Sequence, residues 1–312
     1  MIDPEIAAGV DFSLPPLTAD RIAWRREHGR VVTDAELGRG GVVAFSEEDA
    51  DGVPVLVLRP TGAVGPPVLH IHGGGMVAGT RRSDLHVLAE WVAELGVVLV
   101  SPEYRLAPEH PHPAPVEDCY RTLKWMERNG FAEPVVAGTS AGGGLAAAVV
   151  LMARDFGGPV VRGQLLMCPM LDDRCETPSS HQFLAGTTWV RASNLTGWTA
   201  LLGEARGGPD VSPFAAPARA VSLEGLPPTY VDVGSVDVFR DEAVAYASRI
   251  WQAGGDAELH VWPGGCHGFD QLVPEAVLSR RARAARVEWL RRVACVPQFD
   301  SPCEGGPSGN DE

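Results

Sequence analysis

Nowhere in the 312 residues do eighteen uncharged apolar residues run together, so no segment reads as a membrane-spanning helix. The first residues, Met1-Ile2-Asp3-Pro4-Glu5, lack the basic flank and apolar stretch of a secretory signal, and a cytoplasmic protein is the expectation. Positive charge is in deficit: 26 Lys and Arg stand against 40 Asp and Glu, a formal charge of −14. No Lys/Arg cluster forms a basic stripe, and such a surface repels a phosphate backbone, so no nucleic-acid partner is expected. Cysteine is sparse as well. Cys119, Cys168, Cys175, Cys266, Cys295 and Cys303 form no C-x-x-C pair and no regular spacing, and a chain of this size needs no disulfide framework. They read as free thiols, mostly structural; Cys266, beside His267, is the one whose oxidation would matter.

With 45% hydrophobic and 21% charged residues the composition is that of an ordinary globular protein. A chain of 33.1 kDa can bury a substantial core, and one α/β catalytic domain with an appended lid is expected. Ala19 to His28 suits a short amphipathic helix. Gly41 to Phe45 and Val53 to Leu58, joined by Asp49-Ala50-Asp51-Gly52, suggest an antiparallel hairpin. Val68 to Ile71 then reads as a buried strand. Beyond it, strands at Val97 to Val100, Val135 to Ala137 and Val161 to Met167 alternate with helices at Asp84 to Leu95, Val116 to Asn129 and Leu145 to Asp155. That rhythm is the mark of a parallel sheet covered on both faces. It lapses from Leu171 to Leu226, a Pro/Gly/Ser/Thr-rich stretch with one expected helix at Ser193 to Leu202; an insertion so long is more readily a cap than a plain loop. The rhythm resumes with strands at Thr229 to Val233 and Glu258 to Trp262 and helices at Asp241 to Ala253 and Glu275 to Val293. There is no internal repeat.

The chemistry is carried by Val135-Val136-Ala137-Gly138-Thr139-Ser140-Ala141-Gly142, an apolar strand running into Gly-x-Ser-x-Gly with a helical pattern behind it. A turn that sharp needs residues free of Cβ bulk, and it lifts the serine hydroxyl clear of the sheet. A serine hydroxyl is a weak nucleophile until a base takes its proton and a third group orients that base. His267, in Pro263-Gly264-Gly265-Cys266-His267-Gly268-Phe269 after the last strand, is placed for the base. Asp237, just past the preceding strand, is placed for the orienting acid. Asp241 and Glu242 belong to the next helix start, where acidic side chains suit the helix dipole. His72-Gly73-Gly74-Gly75 ends another strand in consecutive unobstructed amides. Gly74 and Gly75, joined by Ala141 after the serine, are the expected donors to a developing oxyanion. His70 and His72 share one strand face at a spacing that suits a metal pair, but no third ligand is indicated and no metal is expected.

These residues resemble the hormone-sensitive-lipase family of esterases. His72-Gly73-Gly74-Gly75, Tyr104-Arg105-Leu106-Ala107-Pro108-Glu109-His110-Pro111, Gly138-Thr139-Ser140-Ala141-Gly142-Gly143, Leu171-Asp172-Asp173-Arg174 and His267-Gly268-Phe269 follow its motifs in order. Thr139 before the serine is similar to the subgroup with threonine there. The resemblance spans roughly residues 53–293. It implies an α/β-hydrolase fold, a mostly parallel doubly wound sheet with an antiparallel N-terminal hairpin and a helical cap. It also implies hydrolysis of short acyl esters without a cofactor, with Ser140, Asp237 and His267 as triad and Gly74, Gly75 and Ala141 as oxyanion hole. The chain departs from the family in Asp237-Val238-Phe239-Arg240-Asp241-Glu242-Ala243, which lacks a customary proline and glycine, and in Met76, where Trp or Phe is frequent. Met76 touches the acyl pocket in this reading, and Trp189 and Trp198 of the cap help shape it. The expected organisation is residues 1–40 as the N-terminal part of the cap, 41–180 and 227–296 as the two parts of the core, 181–226 as the cap insertion and 297–312 as a disordered tail. A small ester is the expected partner, with a homodimer suggested by the resemblance alone. A lactonase or amidase using the same triad, or a ligand-binding member without turnover, are the rival readings.

Overall fold

The computed structural model describes residues 1–30, 32–62 and 65–295; the tail expected at 297–312 lies outside them. Three short helices come first: α1 (Pro4–Gly9), α2 (Ile22–Glu27) and α3 (Asp34–Gly38). The succession β1 (Val43–Asp49), β2 (Pro54–Pro60), β3 (Pro67–Ile71), α4 (Leu85–Leu95), β4 (Val98–Pro102), α5 (Ala114–Arg128), β5 (Val135–Thr139), α6 (Ala141–Asp155) and β6 (Gly163–Met167) follows. After α7 (Pro178–Gln182) and α8 (Arg191–Leu202) the alternation returns with β7 (Thr229–Val236), α9 (Arg240–Gln252), β8 (Ala257–Cys266), α10 (Phe269–Leu272) and α11 (Val277–Cys295).

The eight strands form one sheet in the order β1-β2-β4-β3-β5-β6-β7-β8. β1 and β4 both pair antiparallel with β2, and every other pairing is parallel. Central β4, β5 and β6 are buried along their whole length, as their unbroken apolar runs require. Helices α4 and α11 cover one face through Leu85, Leu88, Trp91, Trp289 and Leu290. Helices α5, α6 and α9 cover the other through Leu123, Met126, Leu145, Val149, Tyr246 and Ile250. This is the α/β-hydrolase fold, hairpin included. No helix among the described residues is long and apolar enough to cross a membrane.

Element boundaries depart from the sequence reading where a local signal met a stronger tertiary one. β1 runs on to Asp49, pairing through Glu48↔Val55 and Asp49↔Pro54. It is the sheet edge, so its acidic side chains alternate into solvent without cost. β8 continues through Pro263-Gly264-Gly265 to Cys266, absorbing a register shift against β7 between Gly234 and Val236. Helix α6 starts at Ala141 rather than Leu145, although glycine disfavours helix by roughly 1 kcal/mol per residue. The reason is crowding: a Cβ on Gly142 would lie 2.0 Å from the Ile71 carbonyl oxygen and one on Gly144 2.1 Å from that of Met170. The helix lies so close to the strand ends that side chains have no room. The stretch 171–226 also holds α7, a helix the sequence reading did not expect, capped by Thr177 accepting from Ser180 N.

The N-terminal segment is tied to two places. Asp3 N donates to Gly264 O at 3.0 Å, and Ile6 is buried among Cys266, Phe269, Ala276 and Ala282. Farther along, Leu17 N donates to Ser193 Oγ on α8 at 2.9 Å, and Arg26 donates to the carbonyls of Val77 and Ala107 at 2.7 and 2.8 Å.

Candidate active site

β5 delivers Ser140 to the carboxyl edge of the sheet. Its N–H donates to Met167 O at 2.8 Å, and its own carbonyl accepts from Gly144 N and Met170 N at 3.1 and 2.9 Å. Between these anchors the residue is held at φ 58°, ψ −119°, a region that only glycine enters freely and that costs a side chain about 1–3 kcal/mol. β7 delivers Asp237, fully buried, whose Oδ1 accepts from Phe239 N at 3.0 Å. The end of β8 delivers His267. Its ring is steadied by an edge contact with Phe239 at 5.1 Å, and its carbonyl accepts from Thr188 Oγ1 at 2.5 Å.

The three side chains, from positions up to 127 residues apart, meet. His267 Nδ1 lies 2.8 Å from Asp237 Oδ2, and Nε2 lies 2.9 Å from Ser140 Oγ. With Nδ1–H donated to the carboxylate, Nε2 presents its lone pair to the hydroxyl. Burial alone would depress the basicity of this imidazole, but the Asp237 carboxylate beside it prevails and holds its pKa well above the ordinary 6.5. Burial pushes up the pKa of the neighbouring Cys168 thiol, against the pull of the His267 imidazole, and Cys168 in turn adds to the rise at His267.

The glycine loop after β3 lies against this group. A Cβ on Gly73 would stand 3.1 Å from Thr139 O and 3.4 Å from Ser140 Cβ. Gly74 and Gly75 adopt φ 119° and 67°. Among the described residues the N–H groups of Gly74, Gly75 and Ala141 donate to no protein acceptor. Met76 is fully buried, with its carbonyl accepting from Ala107 N at 2.9 Å. Trp189 spans the site: its ring edge would meet a Gly75 Cβ at 2.8 Å, and its centroid is 6.1 Å from that of His267. Trp198 is fully buried in the main core.

The Tyr104 to Pro111 and Leu171 to Arg174 motifs act as braces. Tyr104 stacks on His72 at 4.2 Å and donates to its carbonyl at 2.9 Å. Arg105 pairs with buried Asp118, and Arg26 pairs with Glu109. Asp173 pairs with Arg219, while Glu242 Oε1 accepts from Leu171 N at 2.7 Å. Asp241 Oδ2 accepts from Ser179 N at 2.7 Å. Both acidic residues at the start of α9 therefore hold the backbone that follows β6.

Two side chains near the trio escaped the sequence reading. Cys168, the first residue after β6, offers its sulfur within 4.8 Å of donor atoms on both Asp237 and His267. The strand order contained the clue, since β6 lies between the strands that carry Ser140 and Asp237. Asp84 is the other. Its Oδ2 accepts from Gly73 N at 3.2 Å and lies 3.8 Å from His70 Nε2. Burial lowers the His70 pKa to about 3 and that of His72 to about 4, so both rings are neutral. Burial raises Asp84 from 3.8 to about 6, with the charge of Asp270 adding to it. The folded chain thus keeps a proton that the unfolded chain releases. Stability from this group is complete below about pH 4 and is lost as pH climbs to about 6. Asp84→Asn keeps an acceptor for Gly73 and removes the charge. At pH 8 it is expected to be more stable than the parent by about 2–3 kcal/mol, the gap closing below pH 4, as urea unfolding at the two pH values will measure.

A family model described as the alpha/beta hydrolase fold matches residues 68–271. Esterase LipI of Mycobacterium tuberculosis is 35% identical over 218 residues, which cover 67% of this chain and 67% of that one. Carboxylic ester hydrolase LipN of the same organism is 32% identical over 271 residues, covering 81% and 71%. Among solved structures, a bacterial heroin esterase is 40% identical with a TM-score of 0.84, covering 94% of this chain and 98% of its own.

Proposed function

Because the chain belongs to the hormone-sensitive-lipase-like family of α/β-hydrolases and is a carboxylic ester hydrolase, we propose that it cleaves short-chain acyl esters through an acyl-enzyme on Ser140. The observation that carries this reading is the pair of contacts on one imidazole, 2.8 Å to Asp237 Oδ2 and 2.9 Å to Ser140 Oγ. His267 takes the hydroxyl proton as Ser140 Oγ attacks the ester carbonyl, while Asp237 fixes the tautomer and steadies the imidazolium. Negative charge developing on the carbonyl oxygen falls to the N–H groups of Gly74, Gly75 and Ala141. A donor of this kind is worth about 3–4 kcal/mol in the transition state. The imidazolium gives its proton to the leaving alcohol, then draws one from water so that hydroxide releases the acid and frees Ser140.

Residues 1–40 and 181–226 form the cap in this reading. It is supported by the bond of Leu17 to Ser193 and by Trp189, which closes over both Gly75 and His267. A wall built of Trp189 and buried Met76 suits a short acyl chain better than a long one. Measured kcat/KM over p-nitrophenyl acetate, butyrate, octanoate and laurate should peak at acetate or butyrate. It should exceed the values for a matched anilide and a γ-lactone. A maximum at laurate would refute the chain-length assignment, and a preference for the anilide or lactone would refute the ester assignment. Labelling by a fluorophosphonate should map to Ser140 on peptide mass analysis.

A further inference from the structure

Cys168, Asp237 and His267 are the three-donor group that the described residues gather, with one ligand atom from each lying within 4.8 Å of the others. The set combines a thiol, an imidazole and a carboxylate, the donors that zinc takes at about 2.3, 2.0 and 2.1 Å. Around a tetrahedral ion such donors stand about 3.3–3.6 Å apart, so modest shifts of side chains bring the three into place. Asp237 is fully buried, Cys168 is 7% exposed, and the His267 side chain is 12% exposed. The residual exposure of Cys168 and His267 is the way in for a small ion. No proton-transfer step of the ester reaction calls on Cys168.

We propose that these three residues form an inhibitory site for a thiophilic divalent cation of the zinc type. Binding replaces the thiol proton, which passes to solvent, and leaves the imidazole neutral. Either ring nitrogen serves the same end. If Nε2 coordinates, the lone pair that must take the Ser140 proton is occupied. If Nδ1 coordinates, its hydrogen moves to Nε2, which then donates and no longer accepts. In the second case the metal also takes the place of the hydrogen between Nδ1 and Asp237 Oδ2; in both, turnover stops while the fold stays intact. Cys168 is what makes the site selective. Without its sulfur, two donors remain, one of them already committed to the other.

The loss of turnover rests on the reading of Ser140 and His267 given above, so the test has an arm independent of it. In a non-chelating buffer, Zn2+ is titrated against p-nitrophenyl acetate hydrolysis by the full chain and by Cys168→Ser. The parent enzyme should be inhibited, and recover with EDTA. The variant, measured against its own metal-free rate, should need at least tenfold more Zn2+ for half inhibition. Separately, Co2+ is added to Ser140→Ala and to Ser140→Ala/Cys168→Ser. The first should show thiolate-to-cobalt charge-transfer absorption in the near ultraviolet, and the second should lack it. Equal Zn2+ sensitivity with and without Cys168, or cobalt spectra unchanged by its removal, overturns the proposal. A parent chain with no esterase activity that still gives the Cys168-dependent cobalt band would sink the catalytic reading and uphold the metal site.

Discussion

Ser140→Ala is expected to lower kcat for a short p-nitrophenyl ester by about 10⁴- to 10⁶-fold, the range seen when one member of a serine triad is removed. KM should change little, because the acyl pocket and the glycine loop are untouched. Ser140→Gly separates chemistry from conformation. Both variants lose the Ser140 hydroxyl, but only glycine relaxes a backbone held at φ 58°, ψ −119°. The glycine variant should therefore be more stable than the alanine one by about 1 kcal/mol or more, since strain of this type costs about 1–3 kcal/mol. A parent protein less stable than its inactive glycine variant would show that the fold holds the Ser140 hydroxyl in place against its own preference. Activity of Ser140→Ala at the parent level would place the nucleophile elsewhere.

The trio was legible in the sequence because each member sits where a parallel sheet must expose it. Ser140, Asp237 and His267 all follow strands, and the strands of a doubly wound sheet end on one edge. Position along the chain was enough to gather them. Cys168 follows a strand as well, yet the sequence singles out Cys266, the neighbour of His267 along the chain. In the sheet, the order β5-β6-β7-β8 puts the end of β6 between the serine and the acid. Adjacency across strands, which requires the strand order, outweighed adjacency along the chain. Asp84 was missed for a different reason. Its bond to Gly73 N joins the start of α4 to the glycine loop eleven residues earlier, and no periodicity announces such a cross-link. The glycines at the start of α6 were misread for a third: propensity argues against helix, whereas the carbonyls of Ile71 in β3 and Met170 in the loop after β6 leave room for nothing larger. What remained hidden was contact between elements, and what showed was the order of the elements.

The two outer glycines of the Gly-x-Ser-x-Gly turn are required by each other. A Cβ on Gly138 would lie 2.1 Å from the Gly142 carbonyl oxygen, 2.4 Å from its carbon and 2.8 Å from Gly143 N. All three are backbone atoms of the first turn of α6, and no rotamer change moves them. The helix is fixed in turn, because a Cβ on Gly142 would reach Ile71 O at 2.0 Å and His72 O at 2.4 Å. The strand end, the first turn of the helix and the start of the glycine loop thus close on one another, which is how Ser140 and Gly74 come to share a site. Gly138→Ala must push β5 and α6 apart, and the displacement passes directly into β3. Its expected cost is about 4 kcal/mol or more, in the range reserved for severe core overlap, together with loss of esterase activity in whatever fraction folds. Gly62→Ala is the control, since a Cβ there meets nothing within 4 Å among the described residues. It should fall within about 0.5 kcal/mol of the parent. Urea denaturation of the two alanine variants decides the matter: equal midpoints would mean that the turn yields easily and that the glycines are not what brings Ser140 to its place.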